Sequence, residues 1–130
     1  MPVVCIAGAG GIGSAVAVLL RQFYHQSVDI FIGDIDPNAR NNAVHWVESS
    51  GKVDGELTAF DMTGDWLGAF ESSGTNVDII LDCLPGRFAP DMARAAIRLN
   101  AHYVNLTEYV SETKQIVELA SDATTGFGLQ

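Results

Sequence analysis

A glycine-rich turn near the N-terminus constrains the fold of this chain most strongly. Gly8, Gly10 and Gly13 follow the GxGxxG pattern, directly after an apolar run at 3–7 and directly before helical periodicity at 12–23. Gly8 permits a tight turn, Gly10 lets the backbone approach a pyrophosphate, and Gly13 lets the helix pack closely on the strand. The first helical turn also offers unpaired N–H groups to an anion. The pattern predicts a diphosphate-binding turn, with an ordinary tight turn as the alternative.

Short β-type runs alternate with helical segments along the rest of the chain, which is typical of parallel βαβ units. The first run is apolar at every position, as expected for a central strand covered on both faces. We therefore expect an α/β fold of the Rossmann type, a doubly wound and mainly parallel sheet with helices on both faces, over residues 1–130. Predicted strands lie at 3–7, 30–32, 55–60, 77–81 and 102–105, and predicted helices lie at 12–23, from 37, around 66–70, at 90–99 and from 111.

The first predicted helix carries apolar residues at three- and four-residue spacings, namely Val16, Leu19, Leu20 and Phe23. Such spacing predicts one apolar face turned toward the sheet. Residues 124–130 are interpreted as the start of a sixth strand or as a linker.

Asp34 ends the second predicted strand, about 20 residues past the glycines, where a carboxylate can accept hydrogen bonds from the adenosine ribose. A 2′-phosphate would place negative charge against this carboxylate, so the position predicts NAD in preference to NADP. Arg40 lies further on and is expected to be a solvated helix residue. A simple turn aspartate is the alternative for Asp34, and Asp36 followed by Pro37 is the expected helix cap.

The exits of the third and fourth strands supply the remaining candidates for the cofactor site. Asp61 and Met62 would line the adenine end, although a polar loop is nearly as good an interpretation. Leu84 and Pro85 should approach the middle of the cofactor, near the nicotinamide ribose. Cys83 is a weak candidate nucleophile, because the sequence fixes no histidine or other base near it.

Polar residues around the fifth strand are candidate substrate-side groups, on the carboxyl side of the sheet where ligands bind in doubly wound folds. Surface loop polarity is the stronger interpretation of this cluster. Its members are His102, Asn105, Thr107, Glu108 and Tyr109.

The composition excludes several classes of function. A net charge of −9 disfavours nucleic acid and anionic membrane surfaces as partners. No apolar stretch is long enough to cross a bilayer, so we expect a cytoplasmic protein with Cys5 and Cys83 as free thiols. The three histidines lack ligand spacing, and no metal is expected.

Three segments resemble the N-terminal cofactor domain of the saccharopine dehydrogenase family: VVCIAGAGGIGSAVAVLL, DIILDCLPGRFAPDMARAAIRLNAHYVNLTEY and TTGFGL. The resemblance covers nearly the whole chain, and its second segment is more specific than the shared glycine motif. It implies an NAD(P)-dependent oxidoreductase that acts on the carbon–nitrogen bond of an amino acid or an amino-acid adduct. It also implies roles for individual residues: Gly8, Gly10, Gly11, Ile12 and Gly13 on the pyrophosphate, Asp34 on the ribose, Asp61 near the adenine, and Leu84 and Pro85 beside the nicotinamide.

Members of that family continue into a substrate and dimerisation domain, so we expect an amino-acid-like substrate to be held by a downstream domain outside these residues. A single cofactor domain provides half of a hydride-transfer pocket, and this chain alone is expected to be inactive. The catalytic residues stay unknown, and a homodimer is a further expectation. The main alternative is a regulatory NAD-sensing Rossmann module of the potassium-transport type, without catalysis.

Overall fold

The computed structural model describes residues 1–24, 27–51, 54–106 and 110–121. Within these ranges, five strands alternate with five helices, as the sequence predicts. The strands are β1 (Val3–Ala7), β2 (Asp29–Asp34), β3 (Leu57–Asp61), β4 (Ile79–Asp82) and β5 (His102–Asn105). The helices are α1 (Gly11–Phe23), α2 (Pro37–Ser49), α3 (Trp66–Ser73), α4 (Ala89–Leu99) and α5 (Val110–Ser121).

The five strands form one parallel sheet in the order β3-β2-β1-β4-β5. The first strand is therefore central, and the chain winds outward from it in both directions. Because all strands run the same way, their carboxyl ends meet at one edge of the sheet. The strand ends at that edge are Ala7, Asp34, Asp61, Asp82 and Asn105.

Helices cover both faces of the sheet, which confirms the doubly wound α/β prediction. On one face, Ile6 and Ile30 of the sheet pack in a cluster with Ala17 of α1 and Val47 of α2. On the other face, residues of α3, α4 and α5 pack in a second cluster around the buried Tyr103. Burial on both faces explains why the central strands are apolar at consecutive positions.

The prediction for the sheet-facing side of α1 holds at Val16 and Leu20, which are partly buried against the core, and is wrong at Leu19 and Phe23. Leu19 is 54% exposed and Phe23 is 75% exposed. The buried positions of α1 are instead the small residues Gly13, Ser14 and Ala17. Small side chains let the helix backbone lie close to the sheet, so Leu20 is only partly buried and Leu19 and Phe23 lie outside the core.

The turn between β4 and α4 also differs from the sequence prediction. A short 3₁₀ turn over Gly86–Phe88 precedes α4, which begins at Ala89, one residue before the predicted start. Residues 124–130, interpreted from the sequence as a strand or linker, lie outside the described residues. Cys5 and Cys83 are free thiols, as predicted. No helix among the described residues is long and apolar enough to span a membrane.

Candidate functional site

The glycine turn joins β1 to α1 at the carboxyl edge of the sheet. Gly8 has a φ of +103°, a left-handed conformation that glycine adopts without strain, and its N–H donates to the carbonyl of Gly33 on β2. A Cβ atom at Gly13 would lie 1.8 Å from the carbonyl oxygen of Gly8. These contacts confirm the turn-forming role predicted for Gly8 and the close packing predicted for Gly13.

The N-terminal end of α1 is open to solvent on the side of Gly10 and Gly11. A Cβ atom built at either glycine meets no atom within 4 Å. The helix has no side-chain cap and no acidic residue in its first turn. By contrast, α2 and α3 are capped by the carboxylates of Asp36 and Asp65. The first-turn N–H groups of α1, including that of Ile12, therefore stay available to an anion.

A cavity of about 380 Å³ lies beside this helix end. Gly10, Gly11 and Ser14 form one wall, and Asn38 and Trp46 of α2 lie among the residues on the other. The open space above the glycines thus continues toward the start of α2.

Asp34 lies at the end of β2, next to the glycine turn. One of its carboxylate oxygens accepts a hydrogen bond from the N–H of Ala9 at 2.9 Å, and the other accepts from the N–H of Asp36 at 3.0 Å. The side chain therefore fixes the glycine turn relative to the start of α2. Each carboxylate oxygen has a further lone pair, so the predicted hydrogen bonds to ribose hydroxyls are compatible with this arrangement.

Arg40 is not the solvated helix residue that the sequence predicts. Its side chain is 18% exposed, and Nη1 donates to the backbone carbonyl of Asp34 at 2.7 Å. The same nitrogen lies 3.5 Å from a carboxylate oxygen of Asp61. Arg40 folds back from the first turn of α2 because the parallel pairing of β2 and β3 places these two oxygen groups side by side.

Asp61 lies half-exposed at the end of β3, opposite Asp34 of β2. Its carboxylate accepts a hydrogen bond from the N–H of Thr63 at 2.9 Å. Hydrogen bonding from Thr63, with a smaller contribution from the charge of Arg40, lowers the pKa of Asp61. The carboxylate is thus ionised at neutral pH, where its charge can hold Arg40.

The loop after β4 lies directly against the glycine turn. A Cβ atom at Gly8 would lie 3.1 Å from the backbone carbonyl atoms of Cys83 and 3.2 Å from a methyl group of Leu84. Pro85 follows in an extended conformation and precedes the 3₁₀ turn. The structure therefore brings Leu84 and the glycine turn together, while Asp61 lies two strands away on the other side of β1.

The described surroundings of Cys83 oppose its activation as a nucleophile. Burial, together with the neighbouring charge of Asp82, raises the pKa of its thiol to about 11. A thiol with this pKa is protonated at neutral pH and is a poor nucleophile.

A buried polar network behind the β4 loop is the feature that the sequence analysis missed. Asp82 accepts a hydrogen bond from the hydroxyl of Tyr103 at 2.6 Å and another from the N–H of Leu84 at 3.0 Å. The side-chain amide of Asn105 donates to the same tyrosine hydroxyl at 3.2 Å. An acidic residue ending a buried strand, with Tyr and Asn two residues apart on the next strand, was the signal available in the sequence.

The predicted substrate-side cluster is corrected at two positions. His102 begins β5, at the opposite edge of the sheet from the site, about 10 Å from Asn105 at roughly 3.3 Å per strand residue. Asn105 does lie at the carboxyl edge, but it is buried and faces Tyr103 instead of solvent. Thr107, Glu108 and Tyr109 lie outside the described residues. Among residues that are described, no three His, Cys, Asp or Glu side chains gather as a metal site.

Comparison with known protein families shows to which family this chain belongs. The family model described as "Saccharopine dehydrogenase NADP binding domain" matches residues 4–126. The chain belongs to this family. Membership makes it an NAD(P)-binding domain of oxidoreductases and confirms the resemblance found in the sequence. No curated protein sequence matches the chain.

Solved dehydrogenase structures share the fold of this family member. The WlbA dehydrogenase from Chromobacterium violaceum, in complex with NADH and UDP-GlcNAcA, has a TM-score of 0.75 and 16% identity, over 99% of this chain and 34% of that chain. The myo-inositol dehydrogenase from Lactobacillus casei, in complex with NAD(H) and myo-inositol, has a TM-score of 0.74 and 16% identity, over 99% and 36%. Saccharopine dehydrogenase (L-Glu forming) from Saccharomyces cerevisiae has a TM-score of 0.66 and 16% identity, over 99% and 26%.

These likenesses establish the Rossmann-type fold. The chain spans between 26% and 41% of the length of the solved dehydrogenases that it matches. The rest of each of those chains has no counterpart in the present residues.

Proposed function

We propose that this chain is the cofactor-binding domain of a saccharopine dehydrogenase-like oxidoreductase that acts on the carbon–nitrogen bond of an amino acid or amino-acid adduct. The observation that carries the proposal is the uncapped N-terminal end of α1, with open space over Gly10 and Gly11. A diphosphate fits there because backbone N–H groups and the helix dipole stabilise its charge in an otherwise acidic protein. The family match supports the oxidoreductase over the regulatory NAD-sensing module.

In this proposal the cofactor extends along the carboxyl edge of the sheet on both sides of β1. The glycine turn and Ile12 hold the pyrophosphate, Asp34 accepts hydrogen bonds from the adenosine ribose, and Asp61 lies toward the adenine. Leu84 and Pro85 border the nicotinamide half. When bound, the nicotinamide supplies the group that gives or takes a hydride, and the protein orients it.

We further propose that the cofactor is NAD in preference to NADP. The carboxylate of Asp34 lies beside the glycine turn, where it would repel a 2′-phosphate on the adenosine ribose, and Asp36 lines the adjoining cavity. The guanidinium of Arg40, which lies against the end of β2, is already engaged by the Asp34 carbonyl and by Asp61. The description of the family names NADP, so the preference of this member needs a direct measurement.

The substrate, in this proposal, is held by a further domain outside these residues. Hydride transfer needs a second reactant oriented against the nicotinamide, and the described residues line only the cofactor side. The 130-residue chain is therefore expected to bind cofactor without turning over substrate.

The test is calorimetric titration of the chain with NADH and with NADPH, using Asp34→Ser and a matched control, Asp78→Ser. Both aspartates accept a hydrogen bond from a backbone N–H, Asp34 from Ala9 in the turn after β1 and Asp78 from Val3 at the start of β1, so Asp78 lies at the opposite edge of the sheet. Both substitutions remove one negative charge.

We expect the unsubstituted chain to bind NADH more tightly than NADPH. Asp34→Ser should reduce the ratio of NADH affinity to NADPH affinity by about tenfold or more, because it removes one close like-charge contact. Asp78→Ser should leave the ratio unchanged. Equal or reversed affinities in the unsubstituted chain would refute the NAD assignment, and no binding of either cofactor would refute the proposed function.

A further inference from the structure

The buried network of Asp82, Tyr103 and Asn105 lies directly behind the loop that borders the nicotinamide half of the proposed site. Tyr103 is fully buried, and Asp82 and Asn105 are each only 3% exposed. Asp82 and Asn105 are register partners on neighbouring strands, so the pairing of β4 and β5 brings the three side chains together.

The network fixes the start of the segment 83–89 and contacts its end. At one end, Asp82 accepts the hydrogen bond from the N–H of Leu84. At the other end, the Tyr103 hydroxyl lies 3.3 Å from the carbonyl oxygen of Ala89, the first residue of α4. A single hydroxyl group thus touches the carboxylate that fixes the start of the segment and the carbonyl at its end.

The position of this segment matters because it lies in contact with the glycine turn. The space beside Gly8 is so narrow that a Cβ atom built there would lie 3.1 Å from the backbone carbonyl of Cys83 and 3.2 Å from a methyl group of Leu84. In addition, the N–H of Cys83 donates to the carbonyl of Ala7 at 2.8 Å. A shift of the segment would therefore change the width of the space between Leu84 and the glycine turn.

Burying a carboxylate is costly, and an apolar group of similar size would often give a core at least as stable. Burial raises the pKa of Asp82, and the hydrogen bond from Tyr103 acts in the opposite direction. Hydrogen bonds are directional and apolar contacts are not. Each hydrogen bond of the network therefore fixes one atom of the loop relative to the sheet.

We propose that Asp82, Tyr103 and Asn105 are positioning residues that set the β4 loop, with Leu84 and Pro85, at the distance from the glycine turn that the nicotinamide half of the cofactor requires. This inference rests on the proposed function. It assigns these side chains no contact with the cofactor itself.

The test compares NADH with ADP as ligands of the 130-residue chain. ADP carries the adenosine and the diphosphate, which the glycine turn and Asp34 are proposed to hold, but it lacks the nicotinamide half. The first variant is Tyr103→Phe, which keeps the ring and removes the hydroxyl. The control is Ile116→Val, which trims a buried side chain of the same core cluster on α5.

We expect Tyr103→Phe to weaken NADH binding by about three- to tenfold, the range that corresponds to one net hydrogen bond. ADP binding should stay within about twofold. Ile116→Val should leave both affinities unchanged while lowering the thermal midpoint, which separates a positioning effect from a general loss of stability.

A second pair of variants tests the network without the tyrosine. In Asp82→Asn, the amide oxygen can still accept a hydrogen bond from the N–H of Leu84, and the amide nitrogen can donate one to the Tyr103 oxygen. The hydroxyl proton of Tyr103 can then be donated to the carbonyl of Ala89. Asp82→Ala can do neither. Both variants are scored by the ratio of NADH affinity to ADP affinity. We expect Asp82→Asn to keep the ratio of the unsubstituted chain and Asp82→Ala to lower it.

Equal losses for NADH and ADP in Tyr103→Phe, or no loss for either, would overturn this inference and leave the proposed function standing. If the unsubstituted chain bound neither ligand, the proposed function would fail and the inference would fail with it.

Discussion

Asp82 shows most clearly how a single residue departs from what its neighbours in the sequence predict. It ends an apolar strand and would be expected at the surface, yet the β4 loop and Tyr103 cover it. Its carboxyl is stabilised by two hydrogen bonds and destabilised by loss of water, and burial has the larger effect, since the pKa is raised.

A raised pKa makes the stability of the fold depend on pH in a defined direction. In the unfolded chain the carboxyl of Asp82 titrates near its ordinary value of 3.8, and in the folded chain it titrates higher. Its favourable contribution is therefore complete below pH 3.8 and is lost as the pH rises through the folded value. We expect the free energy of unfolding of the unsubstituted chain, relative to Asp82→Asn, to fall as the pH rises from about 4, over the interval between these two pKa values.

Urea unfolding of both proteins between pH 4 and pH 8 measures this difference, and all other titrating groups cancel in the subtraction. A relative stability that is flat would contradict the raised pKa by showing that the hydrogen bonds balance desolvation at Asp82, and one that increases with pH would show that they outweigh it.

Asp34 and Arg40 show which features of single residues could be predicted from the sequence and which could not. The strand-end position of Asp34 was predictable from its distance to the glycines, and the structure places it beside the turn. The inward fold of Arg40 was not predictable, because it depends on Asp61, which lies 21 positions later in the chain and reaches Arg40 only through the pairing of β2 with β3.

At the scale of elements, the glycine turn combines two separate requirements that substitutions can distinguish. Gly13 needs the absence of a side chain because its neighbour is backbone, the carbonyl of Gly8. Gly10 has an ordinary backbone conformation and open space around it, so the fold places no such demand there.

We expect Gly13→Ala to lower the free energy of unfolding by about 1–3 kcal/mol, since the added methyl group forces the helix from the strand. Gly10→Val should leave the thermal midpoint nearly unchanged but abolish NADH binding, because its side chain occupies the space proposed for the pyrophosphate. Thermal unfolding by circular dichroism and calorimetric titration measure the two effects. Retained binding in Gly10→Val would mean that no diphosphate lies on this turn.

The elements themselves were largely predictable, and the exceptions have physical causes. Strand and helix order followed from the alternation of apolar runs and helical periodicity. The sheet-facing side of α1 followed only in part, because Val16 and Leu20 pack against the core while close packing of the small residues leaves Leu19 and Phe23 outside. Periodicity identifies an apolar stripe, but it does not say which of two stripes meets the sheet.

At the scale of the whole molecule, the charge balance was evident from the sequence, while the pairing of individual charges was not. The chain carries 16 acidic and 7 basic residues. Its described ion pairs lie mostly at the surface, such as Arg98 with Glu71 and Arg94 with Asp91, and such pairs contribute at most about 1 kcal/mol each. The uncompensated acidic charge should therefore dominate the electrostatic free energy of folding.

We expect sodium chloride to stabilise the protein over the range in which it screens this repulsion. Raising the concentration from about 10 mM to about 150 mM shortens the Debye length from roughly 30 Å to roughly 8 Å, less than the width of the domain. The compact state concentrates like charges more than the unfolded chain does, so screening favours it, and the thermal midpoint should rise by a few degrees at pH 7. Near pH 4.4, the isoelectric point of the sequence, the same addition of salt should have little effect. A midpoint that falls with salt at pH 7 would mean that attractive pairs, above all the partly buried contact between Arg40 and Asp61, outweigh the net repulsion.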